Sequence, residues 1–281
     1  MLYGLLSALV WGSADFAGGY ASRRLSSFQT VVLGSMAGGL AMALIAWLSG
    51  EGWPAGEVFA WAGSAGLFGG LGIAMLYRGL STGSVTLVAP TAALVGAGLP
   101  VLVGVFTDGL PAWTQALGLL AGLAGISLVS STPESPAGEG VQPRALLQRP
   151  GLGAAVSAGL AFGAFFILMA RCPSEDVFTP LVIAKLGALA VSLPILLAQR
   201  LPIPPPQRHP VALLSGVLDA GGNLFYLLAT QSARLDLAVL ISSMYPATTV
   251  LLAALVYKER PAARQWLGLA GCLAALALIV A

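Results

Sequence analysis

Charge is what this sequence lacks most. Only 9% of its 281 residues are Asp, Glu, Lys or Arg, roughly a third of the share in a soluble domain. In their place, 57% are hydrophobic and the mean hydropathy is +0.89. A water-soluble fold of this size leaves much of its chain at the surface and could not hide so much apolar area. Disorder is excluded as well, because it needs low hydrophobicity and high charge. The net charge of +2 is too small to argue for a nucleic-acid partner. His209 is the only histidine, so a multi-histidine metal centre is excluded and neither metal nor cofactor is expected. Cys172 and Cys272 sit in or beside apolar runs without a CxxC spacing and read as small apolar side chains. The 36 glycines form no collagen period and no phosphate loop; Gly69-Gly70-Leu71-Gly72 lacks both the dinucleotide fingerprint and a GK[ST] ending. No Lys or Arg precedes Arg23, so no secretory signal is expected at the N-terminus.

What the sequence has instead is long apolar runs. A helix needs about 20 apolar residues to cross the hydrocarbon core, and ten runs qualify: 2–20, 28–49, 56–77, 84–106, 111–130, 150–171, 177–199, 210–232, 236–257 and 261–281. The longest connection, 131–149, is rich in Pro, Gly, Ser and Glu and reads as a flexible linker. It divides the chain into residues 1–130 and 150–281 with five spans each. The halves match weakly at a shift of 150 positions, where Gly72 falls on Gly222, Leu87 on Leu237, Pro111 on Pro261, Gln115 on Gln265 and Gly118 on Gly268. Five is odd, so the second half must sit upside down relative to the first. The expected fold is therefore an all-α integral membrane protein with ten transmembrane helices arranged as two inverted five-helix repeats.

Basic residues set the expected orientation. Arg23, Arg24, Arg78, Arg144, Arg149, Arg200, Arg208, Lys258, Arg260 and Arg264 fall on one face; Arg171 and Arg234 fall on the other. The rule places the richer face in the cytoplasm and both termini outside it, in the inner (plasma) membrane of the cell.

Three charges lie within spans: Asp15, Lys185 and Asp219. Each is costly at membrane depth unless paired or hydrated, which makes each a functional candidate. Asn223 and Tyr226 share a helical face with Asp219, and Trp11 shares one with Asp15. Asp15 and Asp219 are candidates to bind a cationic group or a proton; a structural ion pair with Lys185 is the other reading. Trp11, Tyr226 and Tyr245 are deep aromatics, able either to stack on a ligand or to pack. Tyr77 closes the third span and joins the candidate set. Proline removes a helical donor, so Pro246 should free a carbonyl near Ser242, and Pro90, flanked by Thr86 and Thr91, should make a comparable break in the fourth span. Paired breaks of this kind point to a transport site.

Trp11-Gly12-Ser13, Tyr257-Lys258-Glu259-Arg260 and Gln265-Trp266-Leu267-Gly268 resemble the short motifs of EamA-type members of the drug/metabolite transporter superfamily. The resemblance covers the whole chain, with Asp108 standing roughly where the first half's turn usually has Glu. It implies export or exchange of small metabolites, amino acids above all, through a cavity lined by spans one, three, four, six, eight and nine. No nucleotide motif is present, so the driving force would be a gradient, with protons as one coupling partner. Proton-coupled efflux of lipophilic or quaternary cations is the alternative. An intramembrane enzyme is disfavoured, since HExxH does not occur and a single histidine cannot supply a catalytic cluster. The expected partners are a small-molecule substrate and the lipid bilayer, with the chain acting as a monomer or homodimer.

Overall fold

The structure, a computed structural model, describes residues 1–52, 54, 56–82, 85–130, 150–173, 176–258 and 260–280. The 131–149 linker, the Thr86 side chain and Glu259 lie outside the described residues. The fold is helical throughout the described part. Its helices are α1 (Leu2–Ala21), α2 (Ser27–Leu48), α3 (Gly56–Thr82), α4 (Val85–Asp108), α5 (Trp113–Val129), α6 (Leu152–Met169), α7 (Phe178–Ala198), α8 (Pro210–Ser232), α9 (Leu235–Ser242), α10 (Tyr245–Val256) and α11 (Ala263–Val280). Eight segments are long and apolar enough to cross a membrane, with α9 and α10 together forming one of them. These are eight of the ten expected spans. The other two are α1, with 20 residues, and the shorter apolar α5, with 17.

Local sequence explains the helix ends. Ser26 caps α2: its hydroxyl accepts from the Gln29 N–H, and the Gln29 side chain accepts from the Ser26 N–H. Gln115 and Gln265 fold back in the same way onto the Ala112 and Ala262 N–H groups at 3.1 and 2.9 Å, starting α5 and α11 just after Pro111 and Pro261. Gly50 ends α2 in the left-handed region at φ 73°, the conformation glycine adopts without steric cost.

The helices pack through small residues. α1 lies on α8 and α10, α2 on α7 and α8, α3 on α6 and α7, α4 on α6 and α9, and α5 on α11. Where α2 crosses α8, a Cβ on Gly216 would land on the Gly34 backbone. Where α3 crosses α7, a Cβ on Gly187 would stand 2.7 Å from the Gly63 carbonyl. Small residues allow this approach, and it is dispersion at close range that holds helices together in lipid. The outer surface carries large apolar side chains such as Phe106, Leu110, Leu255 and Leu273, suited to face acyl chains. Trp47, Trp113 and Trp266 are exposed near helix ends, where an interfacial aromatic belt is expected.

The two proline positions behave differently. The ninth span is interrupted at Ser243–Met244, directly before Tyr245-Pro246. The expected break at Pro90 is not observed, because α4 runs unbroken across both Pro90 and Pro100. Thr91 donates its hydroxyl to the Leu87 carbonyl at 2.7 Å, within the same helix. The two breaks are therefore not paired.

Candidate functional site

An aromatic layer crosses the middle of the bundle. Trp11 on α1 stacks on Tyr226 of α8, with centroids 5.7 Å apart and planes at 29°. It also meets Phe166 of α6 at 5.7 Å and the edge of Tyr245 at 6.2 Å. The sequence permits this because of two glycines. Gly222 of α8 leaves the space that the indole fills, and Gly12 lets Thr248 and Tyr245 of α10 close against α1. Trp11 and Tyr226 are buried. The Tyr226 hydroxyl is committed to the Phe166 carbonyl at 2.7 Å. Asn223 is also turned inward and donates to the Asp219 carbonyl in its own helix. The structure therefore gives Trp11, Asn223 and Tyr226 packing and bracing contacts, whereas sequence alone left them open as ligand groups.

The charges collect beside this layer. Lys185 reaches inward from α7 and pairs with Asp219 of α8. Its stem passes Gly39 of α2, where a Cβ would lie 3.4 Å from the Lys185 Cβ. The pair is lopsided: the lysine side chain is 10% exposed and the aspartate 46%. The ammonium is thus hidden and the carboxylate open. Asp15 on α1 interacts electrostatically with Asp219, Tyr77 and Tyr245, which come from three different helices. Yet Asp15 is solvent-accessible. Among the described residues it makes no hydrogen bond or ion pair. Two carboxyl groups, Asp15 and Asp219, thus stand near one lysine.

Each face of the bundle has a cleft. On the basic face, one of about 500 Å³ lies between Phe28, Tyr77, Arg78 and Gln199. Tyr77 links it to the centre, packing edge-on against Phe28 at 5.6 Å while sensing Asp15. On the opposite face, a cleft of about 420 Å³ is lined by Thr107, Asp108, Arg171 and Thr230. Its floor is the aromatic layer, since Thr230 stands one turn above Tyr226 and Ala170 one turn above Phe166.

Two polar clasps missed by the sequence reading fasten that opposite face. Glu51, just past α2, accepts from the backbone N–H groups of Val177, Phe178 and Thr179 and from the Thr179 hydroxyl, at 2.7–3.1 Å. It caps the start of α7 in this way. Burial pushes the Glu51 carboxyl up, but the four donors outweigh burial and hold it below its ordinary value. Arg234 binds Asp236 through two nitrogens, at 3.1 and 2.8 Å, and also the carbonyls of Asp108 and Gly109. The Asp236 hydrogen bond holds the guanidinium above its ordinary pKa. The only hint of either clasp in the sequence was an isolated acid or base at a span end.

A bundle of long apolar helices packed through small residues, with a few charges set among them, defines a multi-pass membrane protein. The sequence pattern of the EamA-like transporter family matches residues 1–131 and 149–281, and the chain belongs to that family of membrane transporters. A crystal structure of another protein shares the fold, with a TM-score of 0.78 over 99% of this chain and 97% of its own, at 18% identity. No curated protein sequence matches the chain.

Proposed function

We propose that this chain is a ten-span secondary transporter of small polar metabolites bearing an amine, amino acids being the best class, and that it works by alternating access between its two clefts. One observation carries the substrate reading: Asp15 is exposed beside the Lys185–Asp219 pair and unpaired among the described residues, while Asp219 already serves Lys185. Asp15 is thus the group placed to take a substrate ammonium or a proton. Protonating Asp219 would instead strand a buried lysine.

The inverted-repeat organisation is supported by features that recur 150 positions apart. Gly50 ends α2 and Arg200 ends α7 with the same left-handed residue, at φ 73° and 55°. Gln115 and Gln265 make the same backward cap. Gly118 meets Ile279 and the Ala275 carbonyl, while Gly268 meets Val129 and the Gly125 carbonyl. Those are the same contacts with the two helices exchanged. The family pattern likewise matches in two segments, one in each half.

The test is thermal stability of the purified protein against neutral amino acids, quaternary amines, polyamines and sugar phosphates, in wild type and Asp15→Asn. A ligand at 100 times its dissociation constant adds about 2.7 kcal/mol. A shift with neutral amino acids that disappears in Asp15→Asn supports the proposal. A shift with quaternary amines alone points to efflux of lipophilic cations. A shift that survives in Asp15→Asn removes that carboxylate from the site.

A further inference from the structure

The cleft on the face opposite the basic one carries both signs of charge. Its walls come from four helices: Thr107 and Asp108 close α4, Arg171 follows α6, Thr230 and Ala233 end α8, and Leu235 opens α9. Its volume of about 420 Å³ falls within the range of small-ligand pockets. Asp108 and Arg171 line the same space and are both exposed to solvent, yet they form no ion pair with each other. The acid is partly committed. One carboxylate oxygen accepts from the Thr107 hydroxyl at 3.1 Å and the other from the Leu235 N–H at 3.0 Å. A carboxylate has about four acceptor sites, so further donors can be taken. The base is uncommitted: among the described residues Arg171 makes no hydrogen bond or ion pair. Arg234, the other base of that face, is instead occupied by Asp236 and by the Asp108 and Gly109 carbonyls. Helix polarity adds to the acid. α4, α6 and α8 all end at the cleft, and helix C-termini carry partial negative charge. The one N-terminus there, that of α9, is already capped by Asp108.

We infer that this cleft is a binding site for a small zwitterion, its ammonium on Asp108 and its carboxylate on Arg171. A guanidinium fork matches a carboxylate with two parallel N–H donors. A simple amine would leave Arg171 unanswered, and a simple acid would face Asp108 and three negative helix ends. The two side chains together therefore select a molecule that bears both charges. Such a molecule would rest above the aromatic layer, over Phe166 and Tyr226. That it is the transported substrate, held at one end of its path, rests on the proposed function; the binding site stands on the cleft itself.

The experiment places a reporter in the cleft wall. Ala233→Cys in the full-length purified protein is labelled with N-ethylmaleimide, and the rate is followed against alanine, propionate and ethylamine. Cys172 and Cys272 are buried, and the protein without Ala233→Cys gives their background. Alanine should slow labelling saturably, at a concentration about tenfold or more below that of either singly charged probe, as expected for one contact to a charged group. Arg171→Gln should raise the half-protecting concentration of alanine about tenfold or more and leave that of ethylamine no higher. Arg171→Lys, which keeps the charge without the fork, should fall between. Asp15→Asn should leave cleft protection unchanged. The proposal is overturned if the cysteine does not react, if alanine protects no better than propionate or ethylamine, or if Arg171→Gln has no effect. Protection lost in Asp15→Asn but intact in Arg171→Gln would overturn it too, by moving the zwitterion to the centre. Failure of the proposed function would look different: no stability shift that depends on Asp15, with cleft protection still governed by Arg171.

Discussion

The Tyr226 hydroxyl on α8 donates to the Phe166 carbonyl on α6 at 2.7 Å, and the Ala170 N–H shares that carbonyl at 3.1 Å. The phenol therefore braces two helices beneath the opposite-face cleft. Tyr226→Phe keeps the ring against Trp11 and removes only this bond. Since Ala170 still satisfies the carbonyl, the expected loss is about 1 kcal/mol, the ordinary net worth of such a bond. A melting curve measures it. Ligand affinity at the Asp15 centre should not change; a tenfold loss would return Tyr226 to the ligand shell.

Lys185 and Asp219 form a buried-to-open ion pair, so their single replacements should not be equivalent. Asp219→Asn leaves a hidden ammonium without its counter-charge, whereas Lys185→Met leaves a carboxylate that water can reach. Breaking a fully buried pair costs about 3–5 kcal/mol. With the aspartate half-exposed, about 2 kcal/mol is expected for Asp219→Asn and less for Lys185→Met. The double variant should recover part of the loss, with a coupling of roughly 1 kcal/mol in a double-mutant cycle. Additive single losses would show that the pair contributes nothing in the membrane-solubilised protein.

Part of this was legible in the sequence because it is local. Apolar run length marks the spans, Pro246 marks the break in the ninth, and a lysine in the middle of the seventh must find an inward partner. The rest depends on which distant residues face each other. Trp11 is deep, as its position implied, but Gly222 opposite it turns it into packing. Pro90 has the same breaking chemistry as Pro246, yet α4 carries the proline within an unbroken helix. In the sequence Arg234 only counts as one of two bases on the poorer face, whereas folding delivers the Asp108 and Gly109 carbonyls to its guanidinium. Glu51 became a helix cap only because α2 ends beside the start of α7.

Close helix crossings make a sharper test of packing. At Gly216 a Cβ would collide with the Gly34 backbone, which cannot rotate aside. Gly216→Ala should force α2 and α8 apart and cost about 1–3 kcal/mol, the usual penalty for overpacking. Gly98 in α4 has nothing within 4 Å of its added Cβ. Gly98→Ala should instead be neutral or up to about 1 kcal/mol stabilising, from helix propensity alone. Chemical denaturation of the two variants side by side decides this. Equal effects would mean that the α2–α8 crossing is looser than the structure shows.

Glu51 links acidity to stability, and the direction follows from its partners. Three backbone N–H groups and a hydroxyl stabilise its charged form in the folded protein, so its folded pKa lies below the ordinary 4.5. A carboxyl depressed in this way contributes stability above its unfolded pKa and loses it as the pH falls through the folded value. Glu51→Gln retains the shape and one acceptor oxygen but not the charge that strengthens all four bonds at the start of α7. The melting temperature of wild type should therefore exceed that of Glu51→Gln by a constant margin above about pH 5. The margin should shrink steadily as the buffer is taken below the ordinary carboxyl range, and the two curves should converge once both side chains are neutral. A margin that stays flat down to strong acid would mean that the Glu51 charge plays no part in fastening α2 to α7. One that grows as the pH falls would reverse the sign of the argument.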